Sequence, residues 1–442
     1  MPRERGQFTE GYVKMKSKAV SGIVLALLLI GMLTLAFDIQ PVKASGTIYI
    51  KADGSVEGTI DISSADNITY TFTANISDEI IVERDNIVVD GAGYTLQGTG
   101  SGTGIDLSER SNVTIKNIEI NGFYYGIYLS QSSNNAVSGN NVTGNEYGII
   151  IGGSLNNAVS GNNVTGNEYG IYLSQSSNNA VSGNNVTANT QYGIVLSSSS
   201  NNILRDNSMV NNGYNFRVSG PSLSNFVNDV DPSNTVDGKP IYYWISRRDA
   251  AVPLDAGYVA LVNCTSITVQ NLDLSKNYQG TVLVYTTNST ITKNNITNNS
   301  LGIQFLLSSN NAVSGNNVTA NTQYGIVLSS SSNNTISGNN VTGNEYGIVL
   351  GGSSNNSIYH NNFINTNQAD TYNSVNVWDD DYPSGGNYWS DYTGVDDKSG
   401  PNQDQPESDG IGDTPYVIDT DNQDNYPLMN PWSVKHTEVG GD

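Results

Sequence analysis

The chain has 442 residues, with 19 Lys+Arg against 41 Asp+Glu, a formal charge of −22 at pH 7 and a single cysteine. That charge repels phosphate backbones and anionic lipid surfaces, which excludes nucleic acid and bare membranes as first partners. One thiol, Cys264, makes no internal disulfide, and no paired Cys/His spacing offers a structural zinc site.

Lys14, Lys16 and Lys18 precede an apolar stretch from Ala19 to Phe37, and Val42-Lys43-Ala44 follows with the small residues of a cleavage site. This order reads as an export signal over residues 1–44. An uncleaved anchor is the competing reading, because the stretch approaches the ~20 residues that span a bilayer. It would be the one membrane attachment. Cleavage leaves an acidic, almost thiol-free chain suited to secretion or the cell surface.

Residues 45–85 read as an N-terminal cap and 86–369 as a repeat. The unit NNAVSGNNVTGNEYGIYLSQSS returns with its second residue at Asn135, Asn157, Asn179 and Asn202, at spacings of 22, 22 and 23. A second run passes through Ser266, Ser289, Asn311, Asn334 and Asn356, and residues 176–202 are identical to 308–334. Within a unit, Val137, Val142 and the Ile149/Ile151 pair form three clusters too short for a helix, each alternating apolar with polar. Gly and Asn between them supply the turns. Three strands and three turns per 22–23 residues predict an all-β fold, a single right-handed parallel β-helix. Asn140, Asn162 and Asn184 fall in one column and Asn145, Asn167 and Asn189 in another, placed for side-chain ladders at about 4.8 Å per step. Tyr147, Tyr169, Tyr192, Tyr324 and Tyr346 precede the glycine of their Gly-Ile-x-Leu strands. They predict a column of rings able to stack on sugars or on one another.

Residues 226–264 interrupt the repeat and read as an inserted loop projecting from the rod. Asp229, Asp231, Asp237, Arg247, Arg248 and Asp255 mix both signs there, the place where acid/base chemistry would sit in an enzyme, with loop salt bridges as the alternative. Residues 370–442 read as an acidic, aromatic C-terminal cap in which Asp396, Asp397, Asp409 and Asp413 crowd around glycines as hard ligands suited to calcium. Asn67, Asn75, Asn263 and Asn288 head N-x-S/T sequons, available for glycosylation on an exported chain.

The repeat unit, the inserted TVDGKPIYYW and the ending GGNYWSDYTG, DGIGDTPYVID and DNYPLM together resemble the NosD-like right-handed parallel β-helix proteins, of the archaeal surface-protein type, from about Lys51 to Pro431. The resemblance implies kinship with a periplasmic copper-binding protein of nitrous-oxide reductase maturation and with the carbohydrate-binding and sugar-hydrolase β-helices. Copper favours soft donors, and the chain beyond residue 44 offers only Cys264, Met209, Met429, His360 and His436, far apart in sequence. Long identical repeats with few reactive groups point to an exported, non-enzymatic module that binds polysaccharide or envelope components or serves as a scaffold. The alternatives are a polysaccharide lyase or glycoside hydrolase, and an accessory protein of copper-centre assembly.

Overall fold

The structure, a computed structural model, describes residues 46–433. The export signal and His436 lie outside the described residues. Among the described residues, no helix is long and apolar enough to cross a membrane. The chain coils as a right-handed parallel β-helix with three strands per coil, for example Ala136–Ser138, Asn141–Thr143 and Tyr147–Gly152. Each pairs in parallel with its counterpart one repeat on: Val137 with Val159, Val142 with Val164 and Ile149 with Ile171. Strand alternation sends those aliphatics into the core, where all six are fully buried. Gly148 sits where coils approach most closely: a Cβ there would lie 2.7 Å from the Gly170 carbonyl oxygen and 2.8 Å from Val164. That is why the strand opens Tyr-Gly.

The asparagine columns form ladders. Asn140 Nδ2 donates to Asn162 Oδ1 at 3.0 Å and to the Ile115 carbonyl at 3.1 Å, while Asn162 Oδ1 also accepts the Asn140 backbone N–H at 3.0 Å. The Asn145–Asn167–Asn189 column repeats the pattern. These amides are buried, so each one left unpaired would cost about 1–3 kcal/mol.

The two runs of the repeat form two lobes with separate cores, joined by one continuous 14-stranded sheet. The joint is a hairpin. Thr235–Val236 pairs antiparallel with Lys239–Ile245 across Asp237-Gly238, whose φ values of 46° and 80° suit a two-residue turn. Every later strand of that sheet therefore runs opposite to the earlier ones. Ile241, Tyr243, Tyr258, Ala260, Val262, Val282 and Val284 face the first core, whereas Trp244, Val259, Leu261 and Leu283 face the second. Tyr258–Val262 and Gln279–Val284 are buried at every residue because a core lies on each face. Reversing strand direction while moving the core to the opposite face preserves right-handed coiling. The 226–264 segment, expected to project as a loop, is instead largely the wall shared by both lobes.

The last strand of the first lobe's long-strand sheet, Tyr214–Ser219, meets the second lobe edge-on. Asn215 N–H donates to the Lys276 carbonyl at 2.7 Å, and Tyr278 N–H to the Phe216 carbonyl at 3.1 Å. Leu306 of the second lobe packs against the first core. The second lobe thus overhangs the end of the first, forming a step. At the chain's far end, Trp389 stacks on Phe363 at 4.8 Å and on Tyr416 at 4.3 Å. Buried Asp424 accepts from Asn387 N–H at 2.7 Å, Trp389 Nε1 at 2.8 Å and Tyr426 N–H at 3.0 Å.

Candidate functional site

Strand register converts the Tyr-Gly-Ile-x-Leu pattern into an aromatic face on the first lobe. Tyr125, Tyr147, Tyr169, Tyr192 and Tyr214 occupy one column of the nine-stranded sheet, joined by parallel pairing. Tyr147 and Tyr169 stack at 4.5 Å and 7°, and Tyr169 and Tyr192 at 5.5 Å and 21°. The stack is made possible by a coil rise close to the thickness of an offset aromatic pair. Tyr128 and Tyr172 add a second outward column, Tyr125 stacking on Tyr128 at 4.9 Å and Tyr172 meeting Tyr169 edge-on at 5.9 Å. All these rings are half-buried: each edge rests on a neighbour and leaves the rest to solvent. Burial raises the Tyr169 and Tyr192 phenols above the usual tyrosine value, with the Arg217 guanidinium opposing the rise. These two rings are uncharged at neutral pH.

Tyr324 and Tyr346 do not continue that column. They meet each other tilted, at 5.5 Å and 42°, on the 14-stranded sheet, and their column reads Gln279, Leu301, Tyr324, Tyr346, Asn367. The five tyrosines expected in one line belong to two sheets.

The charged residues of 226–264 do not gather. Asp229 pairs with Arg205, Asp231 with Arg205 at 3.2 Å, and Asp237 with Lys276 at 3.9 Å. Arg247 lies over the Trp244 ring at 3.9 Å, Arg248 is exposed on the strand Arg248–Ala251, and Asp255 accepts from the Tyr242 hydroxyl at 2.9 Å. In the C-terminal segment three of the four candidate calcium ligands turn onto backbone, Asp397 contributing only its own N–H. Asp396 accepts from Asp409 and Gly410 N–H at 3.0 and 2.9 Å, and Asp413 from Asp397 and Lys398 N–H at 3.2 and 3.1 Å. Asp409 accepts from Ile411 N–H at 3.0 Å. Among the described residues, no group of three or more His, Cys, Asp or Glu side chains is placed to hold a metal ion. Asn67, Asn75, Asn263 and Asn288 are all exposed.

Sequence reasoning missed Arg217 and Tyr278. Arg217 follows Tyr128, Tyr172 and Val195 in the second outward column, so alternation along the strand carried the signal. Tyr278 comes from the other lobe, and no local pattern announces its arrival.

The chain matches the family described as periplasmic copper-binding protein (NosD) over residues 43–241 and 251–394. No curated protein matches it. Among solved structures, the mannuronan C-5 epimerase AlgE6 A-module of Azotobacter vinelandii shares 16% identity at a TM-score of 0.33, covering 70% of this chain and 88% of its own. The periplasmic alginate epimerase AlgG shares 14% at 0.28, covering 72% and 80%. A DFA-IIIase from Arthrobacter chlorophenolicus A6 shares 10% at 0.28, covering 72% and 81%. Among the described residues, Cys264, Met209 and His360 do not fit a copper site. Cys264 is buried with its thiol on the Trp244 carbonyl at 3.4 Å, and Met209 lies fully buried in the first core. His360 stacks on Trp432 at 3.6 Å and meets the Ser384 carbonyl at 3.0 Å.

Proposed function

The chain belongs to the NosD family, and we propose that it acts outside the cytoplasm as a non-enzymatic module that binds polysaccharide and serves as an envelope scaffold. The observation that carries this reading is the ladder of half-exposed tyrosine rings, repeated once per coil on one face of the first lobe. Sugar rings present C–H faces that pack on aromatic planes, and a regular array of planes suits a long polymer better than a small solute. Asp229, Asp231 and Asp237 are each engaged with a basic side chain, which favours loop salt bridges over an acid/base pair there. An acid/base pair needs a free carboxylate beside the reacting bond.

The deciding experiment is retention of the chain on immobilised glycans, followed by product analysis of each glycan retained. Retention without cleavage is the expected result; cleavage would overturn the scaffold reading. Calcium binding at Asp396, Asp397, Asp409 and Asp413 belongs to the same proposal and predicts a calcium-dependent rise in Tm. Glycosylation at the four exposed sequons predicts a mass shift removed by glycosidase.

A further inference from the structure

We infer that the step between the two lobes is an anion-accepting sugar subsite. In it Arg217 receives a carboxylate or sulfate oxygen of one sugar, and the adjoining apolar pocket holds the next ring of the saccharide. This rests on the carbohydrate reading above and narrows it to acidic saccharides.

Arg217 points outward from the last strand of the tyrosine sheet, in register with Val195. Its guanidinium lies 4.2 Å from the Tyr278 ring centroid and 5.4 Å from that of Tyr192. Nη1 reaches the Tyr192 hydroxyl at 3.4 Å, and Nε, closed off from solvent, meets no acceptor. Among the described residues no carboxylate stands within ion-pair distance of it, whereas Arg110, Lys116 and Arg205 each have one. A guanidinium held between rings with no carboxylate on it is suited to receive an anionic oxygen. Of the described residues Arg84, Arg247 and Arg248 also lack such a partner, so what sets Arg217 apart is its closed-off Nε between two rings.

Three residues further along, Gly220 begins the turn that floors a cavity of about 190 Å³, lined by Pro221, Phe226, Tyr285, Leu306, Leu307 and Ser330. Extended chain covers that separation in roughly 10 Å, the length of a disaccharide. Tyr285 and Leu307 both sit at φ 50°, a left-handed conformation that bulky residues seldom take. The matching turn positions in other coils hold Gln131, Gly153, Gln175, Ser198, Ser330 and Gly352. Only beside this cavity does the turn present large apolar side chains, with Tyr285 38% and Leu307 45% exposed. Strain spent at a surface cavity marks a use for it.

The test is equilibrium binding of the full chain at 0.15 M salt, where the Debye length of about 8 Å screens the net charge. The probes are oligomers of a uronate, a sulfated hexose and a neutral hexose, matched in length. An acidic oligomer is expected to bind about tenfold tighter than the neutral one, and the uronate and sulfate arms identify the group received. Arg217→Gln should erase that preference, bringing the variant's acidic binding to the level of its neutral binding. Leu307→Asp, on an exposed side chain, should weaken acidic binding more than neutral. Equal affinity for all three, or a preference that survives Arg217→Gln, overturns the subsite and leaves the carbohydrate reading standing. Failure of every oligomer to bind overturns both.

Discussion

Residues 176–202 and 308–334 are the same sequence in different lobes, and the structure treats them almost identically inside and differently outside. Ile194 and Leu196 match Ile326 and Leu328, all fully buried. On the outer face, Val195 is buried while Val327 is half-exposed, because Val195 lies in register between Tyr172 and Arg217 and Val327 between Gln304 and Val349. Tyr192 belongs to a run of five tyrosines; its twin Tyr324 follows Leu301 and Gln279. The coil is therefore set by its own sequence, and its surface chemistry by its neighbours one coil away.

The most disruptive way to probe this is to cut the same rung in both lobes. Asn184 and Asn316 are twins, each donating to a backbone carbonyl and to the next asparagine. Asn184→Ala and Asn316→Ala should each destabilise by about 5 kcal/mol, because several buried partners lose their bonds together. Denaturant unfolding that shows equal costs would support self-contained coils; a gap above about 2 kcal/mol would mean the lobes differ inside as well.

Next in size is a pH effect confined to the second lobe's end. Burial raises the Asp424 carboxyl to about 7 from the usual 3.8, against the pull of its three N–H donors. The folded state then holds a proton that the unfolded chain has released, so this contribution is complete below about pH 4 and declines as pH climbs through 7. The whole shift corresponds to about 4 kcal/mol. Hydrogen exchange around Trp389 should accelerate across that interval while the first lobe's exchange follows only the intrinsic pH dependence. Asp424→Asn should abolish the difference.

The smallest effect is on binding. Tyr169→Ala should weaken glycan retention about tenfold, or about 1.4 kcal/mol, and Tyr346→Ala should leave it unchanged. Equal losses would place the ligand on both sheets and break the distinction drawn here.

The coil was legible because its period, core column and asparagine columns are written into every repeat. Residues 226–264 were harder. TVDGKPIYYW contains the Asp-Gly of a tight hairpin, and YVALV is the unbroken apolar run of a strand covered on both faces. Read as an interruption of the repeat, these signals gave a loop; read as strands they form the shared wall. The tyrosines were assigned to one line because spacing in sequence does not register a reversal of strand direction. Arg217 and Tyr278 meet only because that reversal brings the second lobe over the first.

The asparagine ladders also have a polarity. In the buried ladders the amide nitrogen donates to the oxygen of the next coil, so those side-chain dipoles add along each lobe as peptide dipoles add along a helix, whereas the outer Asn141–Asn163–Asn185 and Asn295–Asn317–Asn340 ladders run the opposite way. Two of the buried ladders' positive ends arrive at carboxylates, Asn215 Nδ2 meeting Asp237 at 3.1 Å and Asn422 Nδ2 meeting Asp419 at 2.9 Å, whereas Asn228, Asn234 and Asn387 end on backbone carbonyls. A lobe of this kind can lengthen by copying a coil within the run, where each dipole is passed on intact. The identical segments 176–202 and 308–334 both lie inside such a run.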